Sequence, residues 1–225
     1  MVDQVDRRPD TTRLQILRAA SRQFAHRPYS LVSLDDILAD AEVTKGAMYF
    51  HFRSKFALAT AIVEHSGELG RLAVEELLAR GLSGLEALID ISILIAGMDI
   101  SDENTRAGLN LLESIGRTDA FQSGVLEASV TGFTGISRRA MAEGDIDNAR
   151  DPEGIARLLV SMYLGIRQTS NLDDPQRLLS DLENAWTLML PGIANPDRLG
   201  YLTQFVRRRT TLAIKKAKPL TADGL

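Results

Sequence analysis

Apolar residues along this chain recur three and four apart, and no stretch sustains the alternation that marks a strand. The pattern therefore predicts helices from end to end. The first begins near Asp10 and sets Leu14, Leu17, Ala20, Ser21 and Phe24 on one face, until His26-Arg27-Pro28 ends it. Ser33 reads as the N-cap of a short second helix, Leu34 to Asp40, with Leu34, Ile37 and Leu38 turned inward. Ala41-Glu42-Val43 is a tight connector. Thr44 then caps a third helix, Lys45 to His51, and Ser54 caps a fourth that runs from Lys55 past Glu64.

Further on, Leu85 to Met98 is the most apolar run; with Glu86 and Asp90 inside it, it is too short and too charged to span a bilayer and reads as a buried helix. Residues 104–116 continue helical. A looser, glycine-containing stretch at 120–135 leads to a helix at Ile136 to Glu143, which Gly144 ends. Two later starts are sharper. Asp151-Pro152 and Asp174-Pro175 each place a capping acid before a proline at the first helical position. Ile155, Leu158, Leu159, Met162, Tyr163 and Ile166 follow the first at helical spacing. Leu178, Leu179, Leu182, Ala185, Trp186, Met189 and Leu190 follow the second, and Pro191-Gly192 stops it. Two long amphipathic helices in this position suit pairing with a second copy of the chain, ahead of the alternative that they only close their own core.

Three short helices in the order seen over the first quarter describe a helix-turn-helix unit, in which the later helix enters the major groove. The residues at its start fit that task. Thr44 offers a hydroxyl, Lys45 can bond a guanine edge or a phosphate, and Gly46 and Ala47 let the backbone come close to bases. Tyr49 and His51 carry polar tips suited to phosphate oxygens. Met48, Phe50 and Phe52 are assigned to the core. A purely structural helix gains nothing from Gly46, which lowers helix stability by about 1 kcal/mol relative to Ala.

Charge sharpens the division. The net charge is −4 over 225 residues, yet residues 1–60 carry nine Lys/Arg against seven Asp/Glu, residues 61–200 carry eleven against twenty-two, and residues 201–225 carry six against one. Contact with a polyanion therefore belongs at the ends of the chain. The basic tail, Arg207-Arg208-Arg209 with Lys215, Lys216 and Lys218, reads as a solvated terminus in preference to a second DNA contact. Enzyme chemistry has little to stand on. There are no cysteines, His26, His51 and His65 make no i, i+4 pair, and G-x-S-x-G, P-loop and G-x-G-x-x-G signatures are all missing. No cofactor or metal is expected. The polar N-terminus has no apolar leader segment, so a cytoplasmic protein is expected, with no membrane partner.

The run from Thr12 to Glu64, and above all V-T-K-G-A-M-Y-F-H-F followed by S-K, resembles the DNA-binding domain of the TetR family of transcriptional repressors. More narrowly it is similar to the γ-butyrolactone-receptor branch, as are TRAGLNLLESIG at 105–116 and RLGYLTQF at 198–205. The resemblance implies an all-α protein, with a helix-turn-helix domain over residues 1–56 and a larger ligand-binding and dimerisation domain over 57–225. It implies a dimer, joined through the helices at 152–167 and 175–190, that binds double-stranded operator DNA and answers to a small effector. It maps Thr44, Lys45, Gly46, Ala47, Tyr49 and His51 onto operator contacts, and Ser33 and Lys55 onto phosphate contacts at flanking helix starts.

The effector region is expected at Leu88, Ser92, Ile95, Leu109, Leu112, Phe133, Ile136, Met162 and Ile166, with Ser92, Thr131, Thr134 and Tyr163 as polar groups. Each of these is read equally well as ordinary core. Two departures stand out. Phe56 occupies a usually acidic position, and the tryptophan usual before the 136–143 region is absent, with Phe133 in that stretch and the single tryptophan at Trp186 in the presumed dimer helix. Two effector classes stay open: a hormone such as a γ-butyrolactone, or an antibiotic or pathway intermediate. A helical interaction module that binds no DNA is the remaining alternative.

Overall fold

The structure is a computed structural model that describes residues 7–115 and 121–220. Among these residues it is all-α, with ten α-helices, a single 3-10 turn at Tyr29–Leu31 and one isolated bridge between Ile146 and Ala194. Two compact units form. Of the described residues, the first comprises 7–70, 102–115 and 121–122, and the second comprises 71–101 and 123–220. The first unit thus extends past residue 56, where the sequence reading set its boundary, and takes in a helix from the middle of the chain.

In the first unit α1 (Arg7–His26) packs on α2 (Leu34–Ala41), on α3 (Lys45–His51) and on α6 (Glu103–Ile115). Ile16, Leu17, Ala20 and Phe24 form its inward stripe, while Leu14, expected inward, is 45% exposed. The attachment of α6 is specific. The Asn110 side-chain amide donates to the carbonyls of Phe24 at 2.8 Å and Ala25 at 3.2 Å, satisfying acceptors that the end of α1 would otherwise leave open. At Gly108 an added Cβ would lie 2.4 Å from Ser66 on α4 (Lys55–Leu78), so the close approach there requires glycine.

The helix starts follow the capping residues. Ser33 accepts from the Asp36 amide at 3.0 Å, and Asp36 accepts from the Ser33 amide at 3.1 Å, closing a reciprocal capping box. Thr44 and Ser54 accept from Ala47 at 3.2 Å and Ala57 at 3.0 Å. Between α2 and α3, Glu42 adopts φ 54°, a left-handed conformation in which its amide reaches the Ala39 carbonyl.

The second unit is built around α5 (Gly84–Ser101), which is buried on nearly every side. Around it lie α7 (Phe121–Ala142), α8 (Pro152–Thr169), α9 (Pro175–Ile193) and α10 (Pro196–Lys216). Three expectations are corrected here. The stretch from Phe121 to Ala142 is one helix. Val130, Thr134, Ser137 and Ala140 bury a continuous stripe, and Gly124, Gly132 and Gly135 sit on the exposed side, where packing of the other face outweighs their cost. Next, α9 continues through Pro191 to Ile193, because Leu190 and Ile193 are buried and hold its last turn. Finally, the basic C-terminal segment is a helix as far as Lys216 and not a loose tail, with Arg207, Arg208, Lys215 and Lys216 exposed to solvent as expected. Leu202, Phe205 and Val206 bury one face, and Arg209 pairs with Asp90 at 2.6 Å.

Candidate nucleic-acid interface and effector region

The short helix α3 can bury only one stripe. Met48 and Phe52 fill it and are almost wholly buried. Phe50 lies two residues from each, about 200° around the helix from Met48. It is 78% exposed, so its assignment to the core is wrong. Thr44, Lys45, Gly46 and Tyr49 are exposed as well, while Ala47 and His51 are half-buried. The His51 ring meets Phe50 edge-on, with centroids 5.0 Å apart. A Cβ on Gly46 would meet only the Thr44 hydroxyl, at 3.9 Å. Nothing inside the protein therefore requires glycine at that position.

The two flanking residues behave differently from this cluster. Ser33 uses its oxygen to cap α2 and gives its hydroxyl proton to the Asp36 carboxylate. Asp35 and Asp36 share that first turn, so a phosphate there would meet two carboxylates. Asp36 ionises below the usual aspartate value, through its bonds from the Ser33 amide and hydroxyl and from Arg27. Lys55 turns inward. Its ammonium donates to the Tyr29 carbonyl and lies 4.0 Å from the Tyr29 ring centroid and 5.9 Å from that of Phe24. Burial lowers its pKa. In this arrangement Lys55 ties the start of α4 to the loop after α1 and does not face outward.

The residues expected to hold an effector divide between the units. Leu109 and Leu112 belong to the first, and the other ten to the second. Within the second unit Ile95, Phe133 and Ile136 pack on a core of Leu77, Ala87 and Ile91. Leu88 is buried, and Met162 and Ile166 are half-buried on α8. Three of the four polar candidates are already engaged. Ser92 donates to the Ile89 carbonyl and accepts from the Trp186 indole N–H at 2.7 Å. Thr134 donates to the Val130 carbonyl at 2.7 Å. The Tyr163 hydroxyl donates to Asp99 at 2.9 Å. Exposed Thr131 lines a groove of about 210 Å³ with Glu127, Val130, Thr134, Arg138 and Glu153. Arg157 bridges the two acids of that groove, bonding Glu127 at 3.1 Å and Glu153 at 3.0 Å.

Trp186 is fully buried within its own unit, so its indole is not part of an outward surface of α9. Sequence reading missed the group beside Tyr163 altogether. Arg167 donates to Asp99 at 2.7 Å, and both side chains are almost completely buried. A signal was present, because acids in a helix apolar on all sides require cations from elsewhere in the fold. Asp90 with Arg209, Asp145 with Arg198 and Glu86 with Tyr201 repeat the pattern between the α5–α7 side and α10. Among the described residues no group of three His, Cys, Asp or Glu could hold a metal ion, and no helix is long and apolar enough to cross a membrane.

The helix-turn-helix geometry has a counterpart among known proteins. The profile of bacterial regulatory proteins, tetR family, matches residues 16–62, which run from α1 into α4. The chain belongs to the TetR family. The A-factor receptor protein of Streptomyces griseus is 28% identical over 83% of this chain, a match that spans 65% of that receptor's length. A solved gamma-butyrolactone receptor, ArpA-like, is 28% identical, covers 91% of this chain and 99% of its own, and superposes with a TM-score of 0.75. The same identity, coverages and TM-score hold for CprB of Streptomyces coelicolor, a TetR family protein solved in complex with its biological operator sequence. This TetR-family chain is thus similar to butyrolactone receptors over both of its units, and not only over the helix-turn-helix.

Proposed function

We propose that the chain is a ligand-responsive transcriptional repressor that binds a pseudo-palindromic operator as a dimer. The observation that carries the reading is the outward face of α3. There Thr44, Lys45, Gly46 and Tyr49 are exposed on a helix held from behind by Met48 and Phe52. Such a face suits the major groove, with Lys45 on a base edge or phosphate and Tyr49 and His51 on the backbone. The likeness to CprB, solved with its operator, supports it. Ser33 contributes in this reading by capping α2, and Lys55 by positioning α4.

The dimer forms through α8 and α9. Each buries one face in its own unit, and Leu158 and Leu188 remain exposed on the other, Leu188 at 82%. The effector binds the second unit and favours a conformer whose two recognition helices no longer match the half-site spacing. Coupling of this kind is reciprocal, so operator weakens effector binding as effector weakens operator binding. The likeness to a gamma-butyrolactone receptor favours a γ-butyrolactone or related hormone. A second effector class, an antibiotic or pathway intermediate, is favoured by one observation: Ser92, Thr134 and Tyr163 all spend hydrogen bonds within the protein.

The test is a gel shift on the DNA upstream of the protein's own gene, challenged with butyrolactones and with candidate antibiotics. A retarded band that one class releases supports the reading and selects the effector class. A band that no candidate affects removes the effector assignment, and no band at any salt concentration removes DNA binding.

A further inference from the structure

Phe50 is left over once α3 has been assigned. Among the described residues it is the most exposed aromatic side chain in the first unit, 78% accessible, on a helix whose burial needs are met by Met48 and Phe52. It stands one turn after Gly46, and residues four apart lie on the same helical face. That face is open, because a Cβ on Gly46 would meet nothing nearer than the Thr44 hydroxyl at 3.9 Å. The ring is held edge-on to His51, with centroids 5.0 Å apart and planes at 88°. A large, ordered apolar group therefore stands beside a gap the size of a missing side chain.

The charge around it narrows the choice of occupant. From Val43 to Val63 there is no Asp or Glu, in a chain with thirty of them, and Lys45 and Arg53 on either side of Phe50 are exposed. An acidic partner surface fits those surroundings, and an apolar group within that partner must meet Phe50. Duplex DNA offers both, since each thymine presents a C5-methyl in the major groove and apolar side chains read it by contact.

We infer that Phe50 is a specificity-determining residue that packs on a thymine methyl in each half-site, with Gly46 giving that methyl room. The assignment rests on the DNA-binding reading above and adds a base preference at one position. Contact of this type carries no hydrogen bond, so it discriminates by shape and by apolar area. Removal of one methyl from such a contact weakens binding about fourfold.

The experiment begins with selection of a bound duplex from random-sequence DNA by the full-length protein. Each thymine of that duplex is then replaced in turn by deoxyuridine, which lacks only the methyl. The wild-type protein is expected to lose about fourfold in affinity at one symmetry-related pair of positions per methyl removed. Phe50→Ala is expected to bind the original duplex more weakly and to show no penalty at that pair, with an unchanged melting temperature. A deoxyuridine penalty that persists undiminished in Phe50→Ala overturns the inference, as does a wild-type protein indifferent to every replacement. A melting temperature lowered by several degrees in Phe50→Ala also overturns it, because Phe50 would then serve packing. If no duplex is enriched at all, the DNA-binding reading itself fails, and that result is distinct from the others.

Discussion

Helices α3 and α5 treat residues that look out of place in opposite ways. Within the seven residues of α3, Lys45, Tyr49 and Phe50 stand exposed around a buried Met48. Within the eighteen residues of α5, Glu86, Asp90 and Asp99 are buried, and each finds a partner from the C-terminal third of the chain: Tyr201, Arg209, and Arg167 with Tyr163. An ionised carboxylate in the interior carries a large desolvation cost, so it persists only where a cation or donor meets it. An exposed aromatic carries no such compulsion, and no folding requirement puts Phe50 in that place. Residues whose demands the fold has met mark architecture. Residues the fold has no need of mark a surface kept for something else.

The sharpest way to break this contrast is in the second unit. Asp99→Leu leaves Arg167 buried without its carboxylate and is expected to cost about 3–5 kcal/mol of unfolding free energy in urea titration. Asp99→Leu combined with Arg167→Met should recover most of that loss. A double variant as unstable as the single one would show that the pair is not the reason these side chains tolerate burial.

In the first unit the expected signature is the reverse, with binding lost and stability kept. Lys45→Ala should leave the melting curve unchanged. If Lys45 bonds a guanine edge, operator affinity should fall by about 1–3 kcal/mol with relaxed preference at one base. If it bonds a phosphate, the salt dependence should drop by about one ion per helix. Operator binding identical to wild type would remove Lys45 from the interface. Gly46→Ala separates the two properties further. Alanine fits the space, so the fold should gain up to about 1 kcal/mol while operator affinity falls, because the added methyl would occupy the gap proposed to face DNA. A gain in both would mean that the gap serves no partner.

The smallest effects concern pH, and the two units should again differ in sign. Burial raises the Asp90 carboxyl above its ordinary 3.8, against the pull of Arg209. The folded state therefore holds that proton more tightly than the unfolded chain does. This favours folding at low pH, and the contribution is lost as pH rises through the folded value. Asp36, lowered by the Ser33 bonds and Arg27, contributes above the ordinary value and loses that contribution as pH falls through its lower folded value. Comparing the pH dependence of urea midpoints, Asp90→Asn should remove a slope that declines with pH, and Asp36→Asn one that rises. Slopes of the same sign would contradict the assignment.

Much of this was legible in the residues themselves. Ser33, Thr44 and Ser54 each cap the helix they were expected to start, and Asp151 and Asp174 do the same ahead of their prolines. Capping depends on a side chain reaching an amide two or three residues on, which local sequence determines. The face of α3 was legible in part. Lys45 and Tyr49 lie on the outside as expected, but hydrophobicity alone assigns Phe50 to the core, whereas its helical angle, about 200° from Met48, turns it outward. The residues proposed for the effector were the least legible. Leu, Ile and Phe at helical spacing look alike whether they line a cavity or a core, and Ile95, Phe133 and Ile136 proved to pack on Ala87 and Ile91.

The sequence by itself determined the all-helical class, the order and starts of the short N-terminal helices, and the resemblance to the TetR family. These follow from periodicity, from capping and from an unbroken motif, all of which act over a few residues. Tertiary structure alone decided that α6 joins the first unit through Asn110, eighty-six residues from the Phe24 carbonyl it binds. It decided that Lys55 turns inward to Tyr29, that Trp186 meets Ser92, and that Asp99 is neutralised by Arg167 sixty-eight residues away. Such pairings bring together groups whose separation along the chain carries no periodic signal, and they form because burial leaves each group no other partner.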